Sequence, residues 1–265
     1  MLAILMTRGA VRRAVRASSV LRRATACAST SGGSGYADHS KAHLAQAEEI
    51  VRVPLVMGTP EALKGYAYTF PATREAFDQA EVTIEQWPTL PGRRPLCPDS
   101  GKAGGVREGL FTFQWIGDEL RAINEAVDGN YVTGRILEAE YAPQAARVGV
   151  VTREANYHPD GGQIVCPRDG SPFVALLALP NEAIAPQDFV AFYCDGSFGI
   201  HINTNVWHQP VYPISDTAAF YGKQGAVHAC AAYDSVDEHG KWLYVPLDPA
   251  QAVPLPGHLK AAEAF

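Results

Sequence analysis

The sequence predicts a mostly β protein, a sandwich or barrel of short strands with few helices, and three observations carry that expectation. Short β-branched or aromatic runs recur from residue 110 onward, with Gly, Pro, Asn or Asp between them. The run Gly199-Ile-His-Ile-Asn203 alternates strictly, Ile200 and Ile202 against His201 and Asn203, which is the period of a strand with two unlike faces. No internal repeat, phosphate-cradling glycine fingerprint or strand–helix alternation interrupts the pattern.

Taken in order, the chain opens without a single acidic residue before Asp38. It carries Arg8, Arg12, Arg13, Arg16, Arg22 and Arg23 among Ala, Val, Leu, Ser and Thr. That composition is the signature of an organellar transit peptide. A nucleic-acid arm runs its cations in blocks, and a secretory signal has an uninterrupted apolar core. Residues 1–39, which close on a Ser/Gly run, are expected to be a transit peptide and flexible linker. Residues 40–265 are expected to form one domain. The mitochondrion is the expected destination, with the plastid as the alternative.

The chain of 265 residues carries −6 overall, so the part beyond the six arginines stands at −12. Such a domain has no electrostatic reason to bind nucleic acid or an anionic membrane. No apolar run is long enough to span a bilayer, and small-molecule chemistry becomes the expectation. Cys27 lies in the expected leader, and Cys97, Cys166, Cys194 and Cys230 form no C-x-x-C pair. They are expected to be free thiols, with no structural zinc.

Helix formers from Ser40 to Arg52 predict a helix that Pro54 stops. Val53 to Thr69 reads as a strand, a helix start at Thr59-Pro60-Glu61, and a second extended piece. Residues 87–105 hold Pro88, Pro91, Pro95 and Pro98 and read as a long loop. Strands are then expected at Leu110–Trp115, Tyr131–Tyr141, Val148–Val151, Phe173–Leu179, Phe189–Cys194, Ala218–Tyr221 and Val227–Tyr233.

Two polar clusters stand out against these apolar strands. One runs from Gly196 to Pro210 and contains His201, Asn203, Asn205, Trp207, His208 and Gln209. The other runs from Asn156 to Gly170 and contains His158, Gln163 and Arg168. A strand that turns His and Asn away from its apolar side, with a large indole beside them, either lines a pocket or sets a core Trp next to a surface His. Adjacent strands of a rolled sheet bring both clusters to one mouth, the usual place for a small ligand.

Segment 156–170 resembles the first cupin motif, with His158 and Gly170 in place, Asn156 at the position of its first histidine and Gln163 at that of its glutamate. Segment 205–208 resembles the second motif, with His208 as its histidine. Within the cupins, Glu154, His158-Pro159, Gln163 and Pro167 followed by Asn205-x-Trp207-His208-x-Pro210 resemble the ureidoglycolate lyase family over roughly residues 140–235. Three departures stand out: Gln209 where many members have a second histidine, Asn203 where histidine is frequent, and a long N-terminal half.

The resemblance implies a cupin-like jelly-roll β-barrel with a few flanking helices. It implies a carbon–nitrogen lyase that splits (S)-ureidoglycolate into glyoxylate and urea in allantoin and purine catabolism. In that reading His208 is the base, His158 the acid, and Gln163 and Asn203 orient the substrate. Asn205 and Trp207 line the site, and Arg135 or Arg168 meets the substrate carboxylate. Cupins commonly hold a metal. Here only His158 and His208 remain as imidazole ligands, so the expectation is either no required cofactor or a loosely bound divalent ion. A homodimer is also implied. Two alternatives stay open: another cupin enzyme, such as a metal-dependent isomerase or dioxygenase, and a non-catalytic small-molecule-binding cupin.

Overall fold

The computed structural model describes residues 49–82, 94, 105–136, 147–225 and 230–262. The expected leader, the helix up to residue 48, and all but two residues of the 87–105 loop lie outside the described residues.

Numbered in chain order, the first strands are β1 (Ile50–Arg52), β2 (Leu55–Met57), β3 (Ala67–Pro71), β4 (Val106–Ile116), β5 (Glu119–Asn124) and β6 (Gly129–Arg135). Then come β7 (Gly149–Thr152), β8 (Glu154–Tyr157), β9 (Gln163–Pro167), β10 (Phe173–Ala178), β11 (Val190–Cys194) and β12 (Phe198–Ile202). The last are β13 (Trp207–His208), β14 (Tyr212–Pro213), β15 (Thr217–Gly225), β16 (Ala231–Asp234) and β17 (Trp242–Pro246). Among the described residues the α-helices are α1 (Arg74–Gln79) and α2 (Ser235–His239), with 3-10 turns at Pro186–Asp188, Pro249–Gln251 and Gly257–Leu259.

The strands form two sheets. The larger runs β1-β17-β7-β6-β5-β4-β15-β9-β12-β3, and the smaller runs β16-β8-β13-β10-β11-β2, with β14 on β10. The mostly β, cupin-like expectation holds. Among the described residues the two sheets stay open and face each other as a sandwich, an arrangement compatible with a cupin.

Alternation explains how the layers pack. Phe111, Phe113 and Trp115 of β4, Ile200 and Ile202 of β12, and Phe220 of β15 enter one core with Phe173 and Leu177 of β10. Phe220 of the larger sheet meets Phe173 of the smaller edge-on, with ring centroids 5.3 Å apart. The other face of β9 carries Ile164 and Cys166, which α1 covers with Phe77. Thr73 caps that helix by accepting the Ala76 N–H, and the buried Lys223 ammonium donates to the carbonyls of Phe77 and Ala80 at 3.1 and 2.8 Å. Among the described residues, Cys166, Cys194 and Cys230 form no disulfide.

Local expectations were overruled where tertiary pairing was stronger. Ile50–Arg52, read as the end of a helix, is instead a strand parallel to β17, because β-branched Ile50 and Val51 find partners in Trp242 and Leu243. Thr59 does act as a cap, its hydroxyl accepting the Ala62 N–H, yet the turn stops at Gly65 with φ +88° and never lengthens into a regular helix. Gly196, also at φ +88°, lies so close to Gly170 that a β-carbon there would sit 2.0 Å from the Gly170 carbonyl oxygen. The two glycines let the β9–β10 and β11–β12 connections cross.

Candidate functional site

The turn from His158 to Gln163 passes from one sheet to the other, and this crossing builds the site. β8 belongs to the smaller sheet and ends just before His158, whereas β9 belongs to the larger and begins at Gln163. Gln163 lies opposite Ile202, a core residue, so its amide points into the gap between the sheets. His208 on β13 lies opposite Asn156 on β8 and Leu177 on β10, and faces the same gap from the other side. The two imidazole rings meet with centroids 4.9 Å apart at an interplanar angle of 63°. The Gln163 amide bridges them, its Oε1 lying 3.2 Å from His158 Nε2 and 3.0 Å from His208 Nε2.

The proton positions follow from the partners. His208 Nδ1 lies 2.8 Å from the Val206 carbonyl oxygen, which can only accept, so Nδ1 carries the hydrogen and Nε2 keeps its lone pair. The amide end that suits such a nitrogen is the NH2 end, which a half-turn of the Gln163 side chain presents. Burial pushes the His208 pKa down to about 3, with the neighbouring His158 adding to the effect. His208 is therefore a neutral imidazole with a free lone pair across the physiological range. His158, Gln163 and His208 each keep only 4–6% of their surface exposed, so the pair sits in a site that excludes bulk water.

The other predicted residues are dispersed. Asn205 stays near: it takes φ +64° and its N–H donates to the His158 carbonyl at 3.3 Å. Trp207 alternates with His208 and so faces away from the histidine pair. Its ring packs edge-on to Tyr157 at 4.6 Å, its indole N–H donates to the Asn181 carbonyl at 3.0 Å, and the Arg94 guanidinium lies 5.3 Å from its ring centroid. Asn203 follows the outer face of β12, donates to the Gly65 carbonyl and lines a surface cavity of about 350 Å³ with Lys64 and Tyr68. Arg135 is held by Asp118 at 2.8 Å and by Glu119. Arg168 is exposed and lines a separate cavity of about 400 Å³ with Arg74 and Tyr221. Neither cavity includes His158, Gln163 or His208.

His201, on the strand that drew attention in the sequence, is turned to the outer face. It accepts a hydrogen bond from the Tyr68 hydroxyl at Nδ1, and burial lowers its pKa to about 4. A histidine held neutral in the fold but free to protonate at about 6.5 when unfolded makes the fold weaker in acid. Stability from this group is complete above pH 6.5 and declines as pH falls towards 4. The urea midpoint should therefore drop over that window, and His201→Gln should remove roughly one proton from the linkage and flatten the slope. An unchanged slope would place the acid sensitivity elsewhere.

Asp160 was not singled out by sequence reasoning. An Asp in a Pro-Asp-Gly-Gly turn reads as an ordinary exposed turn residue. Here it is only 4% exposed and its Oδ2 has no hydrogen-bond partner. Nothing periodic in the sequence marks it, because its burial comes from the crossing between sheets.

Whether the site suits a metal is a matter of its donors. Two imidazoles and an amide converge, without an anionic ligand, and among the described residues no group of three or more His, Cys, Asp and Glu is placed to hold an ion. The donor set does not fit a tightly held divalent metal.

The family model described as ureidoglycolate lyase matches from residue 119 to residue 238, which takes in both histidines and Gln163. Residues 119–238 are similar to the ureidoglycolate lyase family. Proteins named ureidoglycolate lyase are similar to the same part of the chain. That of Azotobacter vinelandii is 28% identical over 105 residues, covering 40% of this chain and 61% of the relative. That of Stutzerimonas stutzeri is 29% identical over 113 residues, covering 42% and 64%. That of Salmonella enteritidis PT4 is 33% identical over 69 residues, covering 26% and 43%. The chain thus spans between two fifths and two thirds of the length of these ureidoglycolate lyase relatives.

Proposed function

We propose that this chain is a ureidoglycolate lyase, cleaving (S)-ureidoglycolate to glyoxylate and urea. The observation that carries the reading is the convergence of His158, Gln163 and His208 across the gap between the sheets, inside the segment that matches the family. In the reaction, His208 Nε2 takes the proton of the substrate hydroxyl. The oxygen lone pair forms the carbonyl of glyoxylate as the C–N bond breaks. His158, in its imidazolium form, gives its proton to the departing nitrogen, so that urea leaves neutral. One proton is taken and one given, and the pair resets by proton exchange. Gln163, in contact with both rings, fixes their spacing.

The test is urea and glyoxylate release from each enantiomer of ureidoglycolate by the full chain. Turnover of the (S) form is expected to survive exhaustive chelation with less than about a twofold loss, as suits a donor set without an anion. Failure to turn over either enantiomer, with or without added divalent ions, would sink the assignment. A loss on chelation that a divalent ion restores would instead assign a weakly held metal to His158 and His208.

The Arg-rich leader supports import into mitochondria, and cleavage of the leader by isolated mitochondria, but not plastids, would show it. A homodimer is part of the same reading, tested by light scattering on the purified protein.

A further inference from the structure

Three buried acceptors without partners lie on the segments that carry the histidine pair. Asp160 Oδ2, Asn156 Oδ1 and Asn205 Oδ1 are all buried and lack a hydrogen-bond partner. Asn156 lies opposite His208 in the sheet, Asn205 donates its N–H to the His158 carbonyl, and Asp160 is two residues beyond His158 in the crossing turn. The turn is held in place by Gly162, whose α-carbon packs so tightly on His201 and Ile202 that a β-carbon would come within 2.4 Å of His201 Nε2. An unmade hydrogen bond on a buried acceptor is costly, and costlier still on a carboxylate. The two asparagines can exchange their amide ends by a half-turn, so they fit either kind of partner. A carboxylate has no such freedom; burial pushes the Asp160 pKa up, the neighbouring His158 opposes that rise, and in its ionised form the group can only accept.

We propose that Asp160 is a substrate-binding residue that accepts an N–H of the ureido group, and so sets both the orientation of the substrate and the preference for ureido acids. The inference rests on the function proposed above and adds the side of the site on which urea departs. The chemistry is complementary. A ureido group presents three N–H donors, whereas the other end of the substrate is an anion that a buried carboxylate repels. With the ureido nitrogens towards Asp160, the breaking C–N bond lies beside His158 and the hydroxyl towards His208, in keeping with the roles of acid and base. The substrate carboxylate is then directed away from Asp160.

Equilibrium titration separates this inference from the function on which it rests, because it needs no turnover. The probes are N-carbamoylglycine, a ureido acid without the hydroxyl that cleavage requires, and glyoxylate, which has no N–H. Asp160→Asn and Asp160→Ser are compared with the wild-type full chain, with thermal melting as the check on folding. Asp160→Ser is expected to bind N-carbamoylglycine at least about tenfold more weakly, the loss of one hydrogen bond to a charged group, and Asp160→Asn, which keeps a neutral acceptor, to fall between it and wild type, while both bind glyoxylate within about twofold of wild type. Equal weakening for both probes would mean that Asp160 only supports the turn, and would overturn the proposal. Unchanged affinity for N-carbamoylglycine in a folded variant would overturn it too, as would a wild-type chain that binds glyoxylate but no ureido acid. Selective weakening in a chain that turns over neither enantiomer would leave Asp160 as a ureido-binding residue and remove only the lyase assignment.

Discussion

His208→Ala should lower turnover of (S)-ureidoglycolate by about 10²–10⁴-fold, the range that a positioned general base supplies. The fall belongs mainly in kcat, because the imidazole acts on a proton that moves only as the C–N bond breaks. Urea release measured under saturating substrate reads it, and circular dichroism confirms that the sandwich has formed. Truncating a residue that is 4% exposed and bonded to Val206 O costs some stability as well, so the rates belong at a temperature well below the melting point of the variant. His208→Gln provides a second arm, since it refills most of the volume and keeps an amide near Gln163. A folded variant that retains more than a tenth of the wild-type kcat would end the assignment of His208 as the base.

Trp207→Ala should give the opposite result, a large loss of stability. The indole is fully buried, packs edge-on to Tyr157, bonds Asn181 and lies under Arg94. Arg94 is itself fixed by a bidentate pair with Glu238 at 2.6 and 2.8 Å and by the ring of Tyr233. Removing the ring takes the floor from this cluster, and a cost of about 3–5 kcal/mol is expected, as for other buried large-to-alanine changes. Chemical denaturation measures it. Trp207→Phe should recover much of the loss while leaving KM within about twofold, because the residue faces away from the histidines. A KM that rises tenfold in a Trp207→Phe protein of near-normal stability would restore the indole to the substrate site.

The same dipeptide illustrates how far the sequence could be read. Asn205-x-Trp207-His208 was legible as a motif, and the two residues were grouped as one lining. Which of them faces the histidine pair depends on register: one residue's shift along β13 exchanges their faces, and the register is set by β8 and β10, strands far away in the chain. Asn203 shows the same limit. Strict alternation correctly separated Ile200 and Ile202 from His201 and Asn203, but alternation does not say which face of a sheet meets the other sheet. The apolar face turned inward, as the hydrophobic effect requires, and carried His201 and Asn203 to the outside. Gln163 reached the interior because it is in register with Ile202, a pairing that local patterning cannot reveal.

By itself, then, the sequence determined that the protein is built of short β strands, and through its resemblance to the ureidoglycolate lyases it pointed to His158, Gln163 and His208 in segments 156–170 and 205–210 as the residues to watch. These depend on composition, turn residues and fixed spacing, all local properties of the chain. The tertiary structure alone decided the rest. It left the two sheets open, tied Arg135 to Asp118 and Glu119, and set Arg168 on the surface. It also drew Asp160 into the interior, where its Oδ2 has no hydrogen-bond partner. A turn that crosses between sheets carries its polar residues into the gap whatever their preference for water, and no pattern within the turn records the crossing.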